Sequence, residues 1–497
     1  MHHLKFWITG LLGIITGLAG AEIQLAPVFS DHMVLQQGMS VKVFGKTEPG
    51  SRVEVKFGQQ IQSVLSDQSG NFRAILQPLE ATFNPESLIL RCGDDVVTIH
   101  DVLVGEVWLA SGQSNMEKPM GPRRGQWPTE NYETEVALAN YPNIRLFQVP
   151  LWGKVEKPEL QKRWLKCSPE ALSKSDFSAV GYYFSRELYG RLDVPVGIIN
   201  CSFGGTMIET WIPREFLESS EQFACKLQEH YFAWVEGVQA SEEYEAMVRD
   251  LEGYSLRGFL WYQGEANLLV GEIDDYADKM ELMIRAWRTL WEEPDAPFYY
   301  VQLAPFKYST LLGRDVWLTP LALPKFWESQ SEARSIPHSG MICITDLAED
   351  GRDIHPTQKR EVGERLGHLA LHETYGLESI EAYNPEISDV TFLENGTAKV
   401  KIANVGEGLF TCDGNPVGGF ELASENREFV PAEAVITGPD TLLISSGFLV
   451  KPPAQLRFGW HETRSSNLMN SFGLPIVPFR TDDWPVQAVH PVPESDS

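Results

Sequence analysis

Five compact apolar runs, at residues 104–110, 194–200, 258–262, 298–303 and 341–345, constrain the middle of this chain most strongly. Each has the length of a strand and no polar face, as a strand covered on both sides requires. Between and after them, apolar residues recur at helical spacing. Val180, Phe184, Leu188 and Leu192 form one stripe, Met280, Ile284 and Trp287 a second, and Val362, Leu366 and Leu369 a third, with Gly376 placed to stop the last. Strand alternating with helix folds into a parallel sheet wrapped on both faces. The expectation is therefore an α/β domain over residues 102–376, built on a five-stranded parallel sheet.

The flanks read differently. Residues 22–101 carry short alternating segments separated by turns at Glu48-Pro49-Gly50-Ser51 and Asp67-Gln68-Ser69-Gly70-Asn71. Strand runs at this spacing, with no helical stretch, predict a small β-sandwich. Strand-like runs return at 390–393, 398–402, 441–445 and 455–460, with Asn395-Gly396 as a hairpin turn inside an N-x-T sequon. These predict a second β-domain over 377–484, followed by a frayed tail at 485–497.

The first 21 residues have the pattern of a signal peptide. His2, His3 and Lys5 precede an apolar run from Phe6 to Leu18, and Ala19-Gly20-Ala21 supplies a small-x-small cleavage site. The run is shorter than the roughly 20 residues that a membrane-spanning helix needs. The expectation is a soluble protein, secreted or periplasmic, with no membrane insertion after cleavage. Lys and Arg total 41 against 68 Asp and Glu, a formal charge of −27. So acidic a chain repels nucleic acid and anionic lipid through its mean field. The six cysteines are scattered, with no Cys-x-x-Cys and no His-Cys cluster, which argues against structural zinc and leaves disulfide pairing open.

In open α/β sheets, reactive groups gather where strands end. After the first run comes Ser111-Gly112-Gln113-Ser114-Asn115-Met116, and after the second Cys201-Ser202-Phe203-Gly204-Gly205-Thr206. After the third comes Gln263-Gly264-Glu265-Ala266-Asn267, and after the last Asp346, then Asp353-Ile354-His355-Pro356. Singly, such residues are turn formers, Ser114 an N-cap, Asp353 a turn residue and His355 a surface histidine. Four in register point to acyl transfer. Ser114 would attack a carbonyl, with its own N–H facing the developing oxyanion. Gly205 lacks a Cβ and can bring its N–H close to the same oxygen. Gln263, or Asn267 if the loop is oriented otherwise, would donate a side-chain N–H. His355, set before a proline and so biased away from helix, would be the general base, with Asp353 as its carboxylate. Ser114 lacks the second glycine of a Gly-x-Ser-x-Gly elbow, so the geometry is not that of α/β-hydrolases.

The segments WLASGQSNME (108–117), NCSFGGTMIETW (200–211), WYQGEAN (261–267) and DIHPTQK (353–359) resemble the sialate O-acetylesterase family. These are SGNH-type carbohydrate esterases related to acetylxylan esterases. The resemblance extends to LAPVFSDHMVLQQ (25–37) and NLMNSFGLPIVPFRTD (467–482). It implies a flavodoxin-like domain with Ser114 as nucleophile and His355 as base, an O-acetylated carbohydrate substrate, and neither metal nor organic cofactor. Two departures stand out. The family acid commonly lies three residues before the histidine, where this chain has Arg352; Asp353 is the choice, Asp346 the reserve, and a Ser-His dyad without an acid the remaining alternative. The usual Asn block is replaced by one containing Gln, which favours Gln263 over Asn267. Acetylxylan or another plant glycan is the alternative substrate, and a non-catalytic carbohydrate-binding protein or a lipase or thioesterase the alternative classes. Arg123-Arg124 are candidates to meet a sialic acid carboxylate.

Overall fold

In the computed structural model, which describes residues 22–491 apart from 155, 229, 232–237, 312–315, 349–352, 449–451 and 464–465, one long strand serves two sheets. This strand, β1 (Asp95–Gly112), alternates exposed residues with half-buried or buried ones up to His100 and is wholly buried from Val102 onward. The change follows the sequence: Val97–His100 alternates apolar with polar, whereas Val102–Ala110 is nearly all apolar. Its first half pairs antiparallel with Thr82–Cys92. Its second half pairs parallel with strands on both sides. The boundary expected at residue 101/102 therefore falls within a continuous strand, and one hydrophobic core runs from Ile23 through the α/β region.

The central sheet adds β2 (Tyr141–Gln148), β3 (Trp164–Cys167), β4 (Val196–Ser202), β5 (Gly258–Tyr262), β6 (Phe298–Val301) and β7 (Ser339–Ile342). Their order is β3-β2-β4-β1-β5-β6-β7, with β3 antiparallel on the edge and the other six parallel. The expected count of five parallel strands is thus corrected to six. β2 escapes a pattern search because Arg145 sits at its centre and Pro142-Asn143 near its start. Arg145 is 2% exposed, and it is accommodated by a two-point contact with Asp101, 3.0 Å and 3.3 Å. A buried guanidinium needs such a partner.

The three helical stripes form α1 (Ala179–Leu192), α2 (Tyr276–Trp291) and α3 (Lys359–Glu373). Gly376, at φ +68°, follows the last. Trp108 of β1 meets Phe184 of α1, and Phe259 of β5 meets Trp287 of α2. Trp108 lies opposite Gly258 in the register, and neighbouring residues of a strand point to opposite faces. The two helices therefore cover opposite faces of the sheet.

Beyond α3 the chain forms an antiparallel seven-stranded sheet with its own hydrophobic core. Asn395-Gly396 turns its first hairpin, Glu386–Phe392 with Thr397–Ala403. The expected tail is ordered further than its composition suggests, because Val489–Pro491 pairs antiparallel with Val316–Leu318. The expected signal peptide lies outside the described residues. None of the six cysteines is bridged, and Cys92, Cys167, Cys201 and Cys343 are buried. No helix among the described residues is long and apolar enough to cross a membrane.

Candidate active site

The site begins where β1 ends. Gly112 has φ +133°, and a Cβ there would lie 2.2 Å from the Tyr262 carbonyl oxygen of β5. Only glycine lets the chain turn this close to a neighbouring backbone. Gln113 then caps a single helical turn, Ser114–Glu117, with Met116 and Glu117 donating their N–H groups to its carbonyl at 2.9 Å. Ser114 is the first residue of that turn rather than its cap.

Ser114 Oγ lies 2.8 Å from His355 Nε2. Both line a cavity of about 470 Å³ together with Gln113, Glu117, Gly205 and Glu265, among others. Asp353 Oδ1 accepts the His355 backbone N–H at 2.8 Å and stands 3.5 Å from its Nδ1. The second contact is longer than a formed hydrogen bond. Asp346 is elsewhere: Arg365 holds both its oxygens, at 2.8 Å and 2.6 Å. Arg352 lies outside the described residues.

Burial pushes the His355 imidazole below its ordinary value; contact with Asp353 opposes this, and the positive charges of Lys359 and Lys118 reinforce it. The Asp353 carboxyl is also lowered; burial opposes the shift, and its backbone and side-chain contacts with His355, with the charge of Lys118, more than offset it. The resting pair is therefore a neutral imidazole beside a carboxylate, the state a general base needs.

Gly204 presses on Ser114, since a Cβ there would lie 3.1 Å from Ser114 Cβ. Its N–H is engaged by Glu117 Oε2 at 2.8 Å. Gly205 follows at φ +79° on the cavity wall. Gln263 and Asn267 are not brought to the cavity. The Gln263 amide donates to the Thr206 carbonyl at 3.0 Å and to Asn267 Oδ1 at 2.9 Å, and accepts from Tyr276. Asn267 donates to Glu209 at 3.0 Å and accepts from the Ile208 N–H. Both are fully buried and brace the 204–208 loop from beneath.

Three participants were not singled out in the sequence. Gln113 lines the cavity with its amide oxygen held at 3.2 Å by Gln263 and by the Ala266 N–H. Asn115 accepts from Lys359 Nζ at 2.6 Å and donates to the Ile354 carbonyl and to Glu265. Glu265 lies in the Gln263-Gly264-Glu265 motif and lines the same cavity. Among the described residues, no group of three or more His, Cys, Asp or Glu is arranged to hold a metal ion.

Comparison with known proteins matches residues 104–372 to the carbohydrate esterase family described as sialic acid-specific acetylesterase. The chain belongs to that family. A solved carbohydrate acetylesterase from Xanthomonas citri is 31% identical, with a TM-score of 0.79, covering 93% of this chain and all of that one. Mouse sialate O-acetylesterase is 26% identical over 76% of this chain and 78% of its own length. The human sialate O-acetylesterase is also 26% identical, over 74% of each. As a member of the sialic acid-specific acetylesterase family, the chain is a carboxylic-ester hydrolase of the carbohydrate esterase class.

Proposed function

We propose that this carbohydrate esterase removes O-acetyl groups from acetylated sugars of the sialic acid type through a Ser114 acyl-enzyme. The observation that carries the reading is the 2.8 Å contact between Ser114 Oγ and His355 Nε2 on the wall of one cavity. His355 takes the hydroxyl proton as Ser114 attacks the acetyl carbonyl, then returns it to the departing sugar oxygen. Water repeats the cycle on the acetyl-serine and releases acetate. Asp353 holds the imidazole, and the N–H groups of Ser114 and Gly205 receive the oxyanion. Gln263 acts as a positioning residue through Thr206 rather than as a donor. Asp346, taken by Arg365, is set aside.

The strand order supports a flavodoxin-like frame: the five strands read from the sequence stand second, first, third, fourth, fifth. We assign flanking β-sandwich domains to 22–101 and 377–484, and an exported location to the mature chain. The test is acetate release from O-acetylated sialic acid and acetylated xylan in parallel. Faster release from the sialic acid supports the reading, faster release from xylan moves the substrate to plant glycans, and release from neither overturns it.

The protonation state of His355 gives a second test. Its folded value is lowered from the ordinary 6.5, so the base stays neutral further into acid than a free histidine. The value of kcat/KM is expected to rise with pH through a midpoint below 6.5 and to be flat through neutrality. A midpoint above 6.5 in the pH–rate profile contradicts this electrostatic account.

A further inference from the structure

Glu265 is a carboxyl on the catalytic cavity wall that the proposed mechanism leaves without a task. It is 2% exposed and opens a short turn, Glu265–Leu269, behind the nucleophile. Oε1 accepts from the Asn115 amide, while Oε2 is buried with no hydrogen-bond partner among the described residues. By contrast Glu117, on the same wall, has both oxygens engaged, by Arg123 and by the Gly204 N–H.

An orphaned buried acceptor is costly, and polar groups left so in native proteins call for a functional account. The position of this one narrows the account. Asn115, which holds Oε1, follows the nucleophile directly, and Asn115 also donates to the carbonyl of Ile354, the residue before the base. Glu265 is thus tied to both catalytic loops and shares their cavity. A group that meets Glu265 from the cavity lies on the same wall as Ser114 and His355. In many acetylated sugars the carbon next to the ester carries a hydroxyl.

Resting on the esterase reading above, we infer that Glu265 Oε2 hydrogen-bonds a hydroxyl vicinal to the O-acetyl group and so selects sugar esters over simple acetates. A hydroxyl both donates and accepts, so it pairs with a carboxylate and with a carboxylic acid alike. This matters because burial pushes the Glu265 carboxyl up to about 7.

The test is a cycle on enzyme and substrate together, with Glu265→Ala and Glu265→Gln against wild type. The substrates are an O-acetylated sugar, its analogue lacking the vicinal hydroxyl, and 4-nitrophenyl acetate. For wild type, kcat/KM is expected to drop about 10–100-fold when the hydroxyl is removed, the usual range for a buried hydrogen bond to a charged group. In Glu265→Ala that discrimination vanishes, and the preference for sugar ester over 4-nitrophenyl acetate falls by the same factor. Glu265→Gln, which keeps a polar atom at the position, restores part of it. Equal losses on all three substrates would reduce Glu265 to a brace for Asn115 and overturn the inference. Undiminished discrimination in Glu265→Ala would overturn it as well. Wild type that cleaves 4-nitrophenyl acetate but no acetylated sugar would instead overturn the carbohydrate esterase reading, and this inference with it.

Discussion

Ser114→Ala is expected to lower acetate release by about 10⁵–10⁶-fold while leaving the fold intact. The magnitude is the one seen when a serine nucleophile is removed from a preassembled hydroxyl–imidazole pair. Ser114 is held by backbone, not by its hydroxyl: the turn it opens is fixed by Gln113, and its Oγ contacts His355 alone among the hydrogen bonds of the described residues. Alanine therefore removes the reacting atom and little else. Circular dichroism and the thermal midpoint should match wild type, and a loss of less than about tenfold would show that Ser114 is not the nucleophile.

The second large effect lies deeper. Lys279, fully buried, has Nζ at 2.6 Å from Glu209, 2.5 Å from Glu272 and 3.1 Å from Asp275. Burial pushes the Glu209 carboxyl up against the pull of Lys279. Breaking a buried ion pair by deleting one partner typically costs about 3–5 kcal/mol; here the fully buried Glu209 loses its cation, whereas Glu272 keeps Lys226 at 2.6 Å. Lys279→Ala is expected to lose that much unfolding free energy in denaturant titration. The loss should reach activity too, since Glu209 holds Asn267, Asn267 holds Gln263, and Gln263 holds the carbonyl of Thr206 beside Gly205. Combining Lys279→Met with Glu209→Gln should recover part of the stability. A loss below 1 kcal/mol for Lys279→Ala would mean that the cluster carries no such weight.

That same chain explains where the sequence was legible and where it was not. The strands Gly258–Tyr262 and Phe298–Val301 announce themselves through uninterrupted apolar residues, because both faces are covered. The Tyr141–Gln148 strand hides because Arg145 is tolerated only through Asp101, a partner 44 residues earlier. Patterning reports burial, and a compensated charge inside a strand defeats it. At the site, Ser114, His355 and Gly205 reach the cavity as their loop positions imply. Gln263 and Asn267 have the residue type of oxyanion donors, but residue type does not fix direction. Their amides are claimed by Thr206, Glu209 and Tyr276, contacts that only the folded packing creates. Asp346 at the end of its strand is lost to Arg365 for the same reason. Glu265 stays hidden because its significance lies in an oxygen without a hydrogen-bond partner among the described residues, which no sequence displays.

The measurement that bears most directly on the acyl-enzyme is a trapping experiment. Wild-type protein mixed with excess acetylated substrate, quenched in acid and mapped by peptide mass spectrometry is expected to carry one acetyl group on Ser114, absent in Ser114→Ala. Acetate release with no acetylated serine, or with the label on another residue, would contradict the account.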